Sequence, residues 1–182
     1  MAQDELRSKA REIDSLFRAL IADVIEVTGI WQQRGDELSH RLYVRTVFSA
    51  VEGIIQVMKA GALLFDELNE PRLLSPEDIA LLNEIDPQIS GSGQIQIKKK
   101  KISLLPNFEY AIYTYARVRR MNVVLDKGGE GWTALREAIG VRDRLTHPHK
   151  VADLEVGLDE LKTIEAEMKF FRDTTGQLLL QQ

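Results

Sequence analysis

The chain has 182 residues, no cysteine and a formal net charge of −4. Its length suits a single domain, residues 1–182, with a core of its own, and the missing cysteines exclude a disulfide scaffold, thiolate metal sites and a cysteine nucleophile. The net charge opposes bulk attraction to nucleic acid, yet residues 98–150 hold 12 Lys/Arg against 5 Asp/Glu, a surplus of +7, and the remainder carries −11; such asymmetry suggests a basic face for a polyanion, unless folding mixes the segments and the charge serves only solubility.

The opening MAQDELRSKAREID is charged and lacks the apolar centre of a signal peptide. No apolar run approaches the length needed to span a membrane, so the expectation is a soluble cytoplasmic protein with no membrane partner. Residues 3–27 place Leu6, Ala10, Ile13, Phe17, Leu20, Val24 and Ile25 at helical spacing. Thr28-Gly29 could end that helix, with Trp31 anchoring the loop behind it or marking an interface. Asp36 then suits an N-cap for a long helix over 36–68, whose apolar face runs from Val44 and Phe48 to Ala62 and Phe65. A second stripe of Arg41, Arg45, Glu52, Gln56 and Lys59 reads as a solvated face. Within it, Arg45 and Glu52 lie seven apart and nearly in register. They are candidate supports for a charged site elsewhere. His40 has no cluster around it and is expected at the surface.

Pro71 and Pro76 bracket a break. Ser75-Pro76-Glu77-Asp78 is a strong helix start, with Ser as cap and Pro at the first position, and the short helix should end before Asp86-Pro87. Residues 88–105 change character: isoleucines alternate with polar residues beside Gly91-Ser92-Gly93 and the run Lys98-Lys99-Lys100-Lys101. The period of two predicts a small β-hairpin or a mobile loop inserted in the helical chain. The four lysines could contact phosphates or simply protect a solvated edge. Asn107–Leu125 predicts another helix, with Arg117, Arg119 and Arg120 adding charge and Tyr110 and Tyr113 open to base stacking or to the core. Lys127-Gly128-Gly129 would end it. Gly128-Gly129-Glu130-Gly131 lacks the features of a phosphate loop, and no ligand spacing supports a metal; neither a metal nor a cofactor is expected.

From Gly131 the helical period puts Trp132, Leu135, Ala138, Ile139, Val141 and Leu145 on one arc. Arg142 falls in the middle of that arc, and Arg144 on the solvent side. A charge placed among apolar residues needs a partner, a cleft or a subunit interface. Pro148 stops the helix near Thr146 or His147. A terminating turn would free His147 to fold back toward Arg142, and the helix dipole favours its charged form, which suits a proton shuttle. After a connection over 151–157, a last helix near 158–180 places Leu161, Ile164, Met168, Phe171 and Leu178 on one face; its Leu178-Leu179-Leu180 end suits a dimer interface.

The run Arg142-Asp143-Arg144-Leu145-Thr146-His147-Pro148, late in an all-helical chain, resembles the R-x4-6-H motif of HEPN domains, in which a polar residue follows the arginine. Arg144 and His149 repeat the spacing, but Leu145 follows that arginine, so the first register is preferred. The resemblance implies an all-α HEPN-like bundle with a small β-hairpin or loop insertion around residues 88–105. It implies a homodimer acting on single-stranded RNA without a metal. Arg142 would stabilise charge, Asp143 would orient Arg142 or His147, and His147 would move protons. Arg45 and Glu52 would support them, and Lys98, Lys99, Lys100, Lys101, Arg119, Arg120 and Lys150 would contact the RNA backbone. A toxin–antitoxin or phage-defence setting with an antitoxin partner follows from the same resemblance. The alternatives are a non-catalytic RNA-binding or protein-interaction adaptor, and a plain surface helix end in which Arg142 is a structural ion-pair partner.

Overall fold

The computed structural model describes residues 2–179. The chain is all-α with a small β insertion. Among the described residues the order is α1 (Ala2–Arg34), α2 (Glu37–Leu68), α3 (Pro76–Leu82), β1 (Ile85–Ile89), β2 (Ile95–Lys99), α4 (Leu104–Val118), α5 (Glu130–Thr146), a 3-10 turn (Val151–Leu154) and α6 (Leu158–Leu179). Its contacts gather into two compact units. One comprises the chain up to Asp14 with Ile55–Val123, the other Ser15–Ile54 with the chain from Val124 onward, so the divisions fall inside α1 and α2.

The first unit buries Ile55, Met58 and Ala62 of α2 with Phe108, Ala111, Ile112 and Tyr115 of α4. Ser75 caps α3: its hydroxyl accepts from the Asp78 N–H at 3.1 Å and the Asp78 carboxylate returns the bond to the Ser75 N–H at 3.0 Å, satisfying two donors that a helix start leaves open. The helix ends at Leu82, before Asp86-Pro87 as expected, and those two residues lie inside β1. β1 and β2 pair antiparallel from Ile85↔Lys99 to Ile89↔Ile95. Gly93, at φ +77°, supplies the left-handed position that a three-residue hairpin loop needs. The insertion thus begins at residue 85 rather than 88, and α4 takes over at Leu104 rather than Asn107.

Helix α4 also stops early, at Val118 rather than Leu125. Arg120 adopts φ +55°, its N–H bonds the Arg117 carbonyl at 3.1 Å, and the Met121 N–H reaches back to Ala116 at 2.8 Å. This is a left-handed helix ending of the kind usually built on glycine. Val124, expected on a helix face, is exposed.

In the second unit α1 runs through Thr28-Gly29. The Thr28 hydroxyl donates to the Val24 carbonyl at 2.6 Å, and the helix ends only at Gly35, whose φ of +59° and bond to the Trp31 carbonyl at 2.9 Å mark the stop. Trp31 is therefore helical, not in a loop, and stacks on Tyr43 with ring centroids 4.5 Å apart. Asp36 caps α2 by accepting the Ser39 N–H at 2.8 Å. That bond and Arg34 hold its carboxyl down to about 2. His40 is half-buried, with Nδ1 3.2 Å from the Val156 carbonyl, not free at the surface.

The core of this unit joins Val44, Val47, Phe48 and Val51 of α2 with Trp132, Leu135, Ala138, Val141 and Leu145 of α5 and Leu161, Ile164, Phe171 and Leu178 of α6. Leu178 is buried here; Leu180 lies outside the described residues. The apolar stretch of α2 is also longer than the sequence suggested. Its best 18-residue window has a mean hydropathy of 1.5, enough by length and composition to cross a membrane, but 67% of that window is buried within the fold.

Candidate functional site

Residues 45, 49 and 52 recur every three or four positions along α2, so Arg45, Ser49 and Glu52 share one face. Arg142 and Thr146, four apart on α5, face them. Together with Val44 and Phe48 these side chains line an open cleft of about 230 Å3. The apolar arc of α5 seats the helix against α2 and carries Arg142 to the rim, with 27% of its side chain exposed.

Arg142 resolves its charge with two carboxylates. Nη2 pairs with Glu52 Oε1, and Nη1 donates to Asp143 Oδ1 at 2.7 Å. Both acids remain about half exposed, so solvent screens the pairs and they contribute little to stability. The expected link between Glu52 and Arg142 is present. Arg45 takes a different partner: its Nη2 donates to the Leu145 carbonyl at 3.1 Å, near the end of α5 where the last carbonyls lack intrahelical donors. Ser49 and Thr146, which periodicity did not single out, complete the rim. Thr146 Oγ1 donates back to the Arg142 carbonyl at 2.8 Å.

The helix ends as Pro148 requires, with His147 as its C-cap and its N–H still bonded to the Asp143 carbonyl at 3.0 Å. The His147 side chain is exposed, has no hydrogen-bond partner among the described residues, and does not line the cleft with Arg142. The turn therefore does not fold it back onto Arg142 within one chain.

Arg144 is not a solvent-facing residue. Its guanidinium donates to the carbonyls of Asp153 at 2.8 Å and Glu155 at 2.7 Å and to Glu160 Oε1 at 2.6 Å. Asp153 gathers the N–H groups of His149 at 2.8 Å and Lys150 at 3.0 Å, which hold its carboxyl below the usual range. The two arginines of the run thus do different things: Arg144 fastens the segment after the helix, and Arg142 faces the cleft.

The remaining basic candidates belong to other places. Lys98, Lys99, Lys100 and Lys101 are exposed on and after β2, and Lys150 is exposed beside the 3-10 turn. Arg120 is exposed at the left-handed end of α4. Arg119 is engaged: its guanidinium lies 4.4 Å from the Phe65 ring centroid and donates to the Tyr115 hydroxyl at 3.4 Å. Tyr110 donates to Asp78 Oδ1 at 2.8 Å, whereas Tyr113 is exposed. Among the described residues no group of three or more His, Asp or Glu is placed to hold a metal ion.

Three buried charges were not apparent in the sequence; the first, Asp66, accepts the N–H groups of Leu73 at 2.6 Å and Leu74 at 2.9 Å. Lys59, assigned to a solvated stripe, is 1% exposed and pairs with Glu84. Glu167 on α6 is fully buried, and neither carboxylate oxygen has a hydrogen-bond partner; burial pushes its carboxyl up to about 8. Its position on the apolar stripe, with Ile164 and Phe171 at i−3 and i+4, was the available signal. No protein-family model, curated protein or solved structure matches the chain.

Proposed function

We propose that the chain is a HEPN-like, metal-independent endoribonuclease that cuts single-stranded RNA at a site shared by two copies. The observation that carries this reading is the cleft itself: Arg45 and Ser49 of α2 and Arg142 and Thr146 of α5 line it together. Guanidinium donors on both walls of a small open cleft, with the Ser49 hydroxyl, suit a phosphate group.

Arg142 meets the non-bridging oxygens and stabilises charge as the phosphorane-like state forms, with Asp143 and Glu52 setting its orientation. The ribose 2′-oxygen attacks phosphorus and the bond to the 5′-oxygen breaks. The 2′-hydroxyl gives up a proton and the departing 5′-oxygen gains one, and His147 handles these transfers. The products are a 2′,3′-cyclic phosphate and a 5′-hydroxyl, so DNA is inert. Since His147 lies outside the cleft of its own chain, a homodimer that brings the partner's exposed imidazole to Arg142 completes the site. Cytoplasmic residence belongs to the same proposal; a toxin–antitoxin or phage-defence role, with an antitoxin protein as partner, rests on the resemblance alone.

The second reading is a non-catalytic adaptor that binds RNA or protein through the cleft. It is favoured by Arg142 being already neutralised by two carboxylates. One experiment separates the two. Purified protein, shown by sedimentation to be dimeric, is incubated with labelled single-stranded RNA and matching DNA in excess EDTA. The nuclease reading expects RNA fragments ending in cyclic phosphate and intact DNA. Binding without turnover selects the adaptor, and a protein that stays monomeric at high concentration removes the shared site.

A further inference from the structure

The hairpin of the first unit has one apolar face and one open edge, and the function proposed above uses neither. Ile85, Pro87 and Ile89 of β1 stand opposite Lys99, Ile97 and Ile95 of β2. Alternation puts these side chains on the same face. Ile89, Ile95 and Ile97 are 80%, 76% and 66% exposed. Two hydrogen bonds fix the phase of the ladder: the Ser90 N–H to the Gln94 carbonyl at 2.8 Å, and the Lys100 N–H to the Glu84 carbonyl at 2.7 Å. Bonded and non-bonded pairs alternate in an antiparallel ladder. The pairs Ile89↔Ile95, Pro87↔Ile97 and Ile85↔Lys99 therefore aim their backbone groups outward.

The two outward edges differ. On β1 the central outward position is Pro87, which has no N–H to give. On β2 the outward positions Ile95, Ile97 and Lys99 all carry both donor and acceptor, and every residue of the strand is exposed. Lys98–Lys101 cluster at the end of this same edge, and none of their ammonium groups has an ion-pair partner among the described residues.

We infer that the β2 edge is a strand-addition site for an extended segment of another protein in which apolar and acidic residues alternate. The added strand completes the backbone bonding of Ile95, Ile97 and Lys99. Its apolar side chains extend the isoleucine face, and its carboxylates, on the opposite face, meet Lys98. Other occupants fit less of the surface. RNA would use the lysines and leave the isoleucines in water, with no aromatic ring on the strand for bases to stack on. A bilayer would take the isoleucines but leave the edge groups without partners in hydrocarbon. A second copy pairing β2 with β2 would bring no carboxylate to the lysines, since the strand has none.

The test uses the full chain and a fluorescent nine-residue peptide of alternating valine and glutamate, followed by anisotropy. Saturable binding that weakens with salt is expected. Methylating alternate backbone nitrogens of the peptide should weaken binding at least tenfold, because it removes the donors of one strand edge without altering charge. Ile97→Pro should do the same from the protein side. It deletes an outward N–H at a non-bonded pair, so the hairpin ladder, checked by amide NMR, persists. Replacing Lys98–Lys101 by Gln should remove the salt dependence. Equal binding of the methylated peptide, no binding of the parent peptide, or binding only to oligouridylate or to phosphatidylglycerol vesicles would each overturn the proposal.

Discussion

Lys59 Nζ lies 2.7 Å from Glu84 Oε1, and that single oxygen also accepts from Gln56 Nε2 at 2.8 Å and Asn107 Nδ2 at 3.2 Å. The lysine is 1% exposed, while its partner retains 34%. Glu84 sits at the junction between α3 and β1 with φ +53°, a conformation that side-chain-bearing residues rarely hold. Three converging donors on α2 and α4 fix it there, and the hairpin leaves the unit from this anchor.

Removing the carboxylate strands the lysine in the core. Glu84→Ala should destabilise the protein by roughly 3 kcal/mol, the low end for breaking a buried pair, whereas Lys59→Met with Glu84→Gln should recover most of that loss. Burial opposes ionisation of Glu84, but Lys59, Gln56 and Asn107 outweigh it and hold its carboxyl below the usual value. Its contribution is present above the unfolded value and lost as pH falls through the folded one. Denaturant unfolding of the variants at neutral pH, and of the parent in acid, reads both effects. A silent Glu84→Ala would mean that the pair does not hold the junction.

Glu167 gives the opposite pH dependence. Its carboxyl is raised by burial from an ordinary 4.5 to about 8, so the folded chain holds a proton that the unfolded chain releases at neutral pH. Stability from this group is full below about 4.5 and is lost as pH rises through about 8. Glu167→Gln should abolish a pH-dependent loss on the order of 3 kcal/mol between mildly acidic and mildly alkaline solution. Chemical unfolding at both ends of that range measures it. Parallel pH profiles for the parent and Glu167→Gln would show that the carboxyl is solvated after all.

What the sequence made legible was local. Asp36, Ser75-Pro76 and Pro148 each act within three or four residues, and each sets a helix boundary where expected. Boundaries that depend on an unusual residue were missed. The end of α4 rests on Arg120 in a left-handed conformation, held by glycine at Gly35 and Gly93 but here, as at Glu84, by a residue with a side chain, so no compositional mark announced it. Long-range partners were the other gap. Lys59 looked solvated because its carboxylate arrives 25 residues later from a different element. Glu52 was found because its seven-residue register with Arg45 placed both toward one neighbour, although Arg45 then bonds a backbone carbonyl.

Glu52 pairs with Arg142 at the cleft, so it would compete with a phosphate for the guanidinium. Glu52→Gln should therefore tighten RNA binding several-fold and steepen its salt dependence by about one released counterion. Arg142→Ala should do the reverse. Titration of a labelled single strand at several salt concentrations reports both. Weaker binding by Glu52→Gln would show that the acid positions the arginine more than it masks it.

The proposed cleavage turns on which histidine moves the proton. Cleavage rates for single-stranded RNA in excess EDTA should be compared for the parent, His147→Ala and His149→Ala, each verified as folded dimer. His147→Ala is expected to lose roughly 10²–10⁴-fold in rate, the usual share of general acid–base catalysis, while His149→Ala stays near the parent rate. Full activity in His147→Ala, or loss confined to His149→Ala, would contradict the assignment of the site.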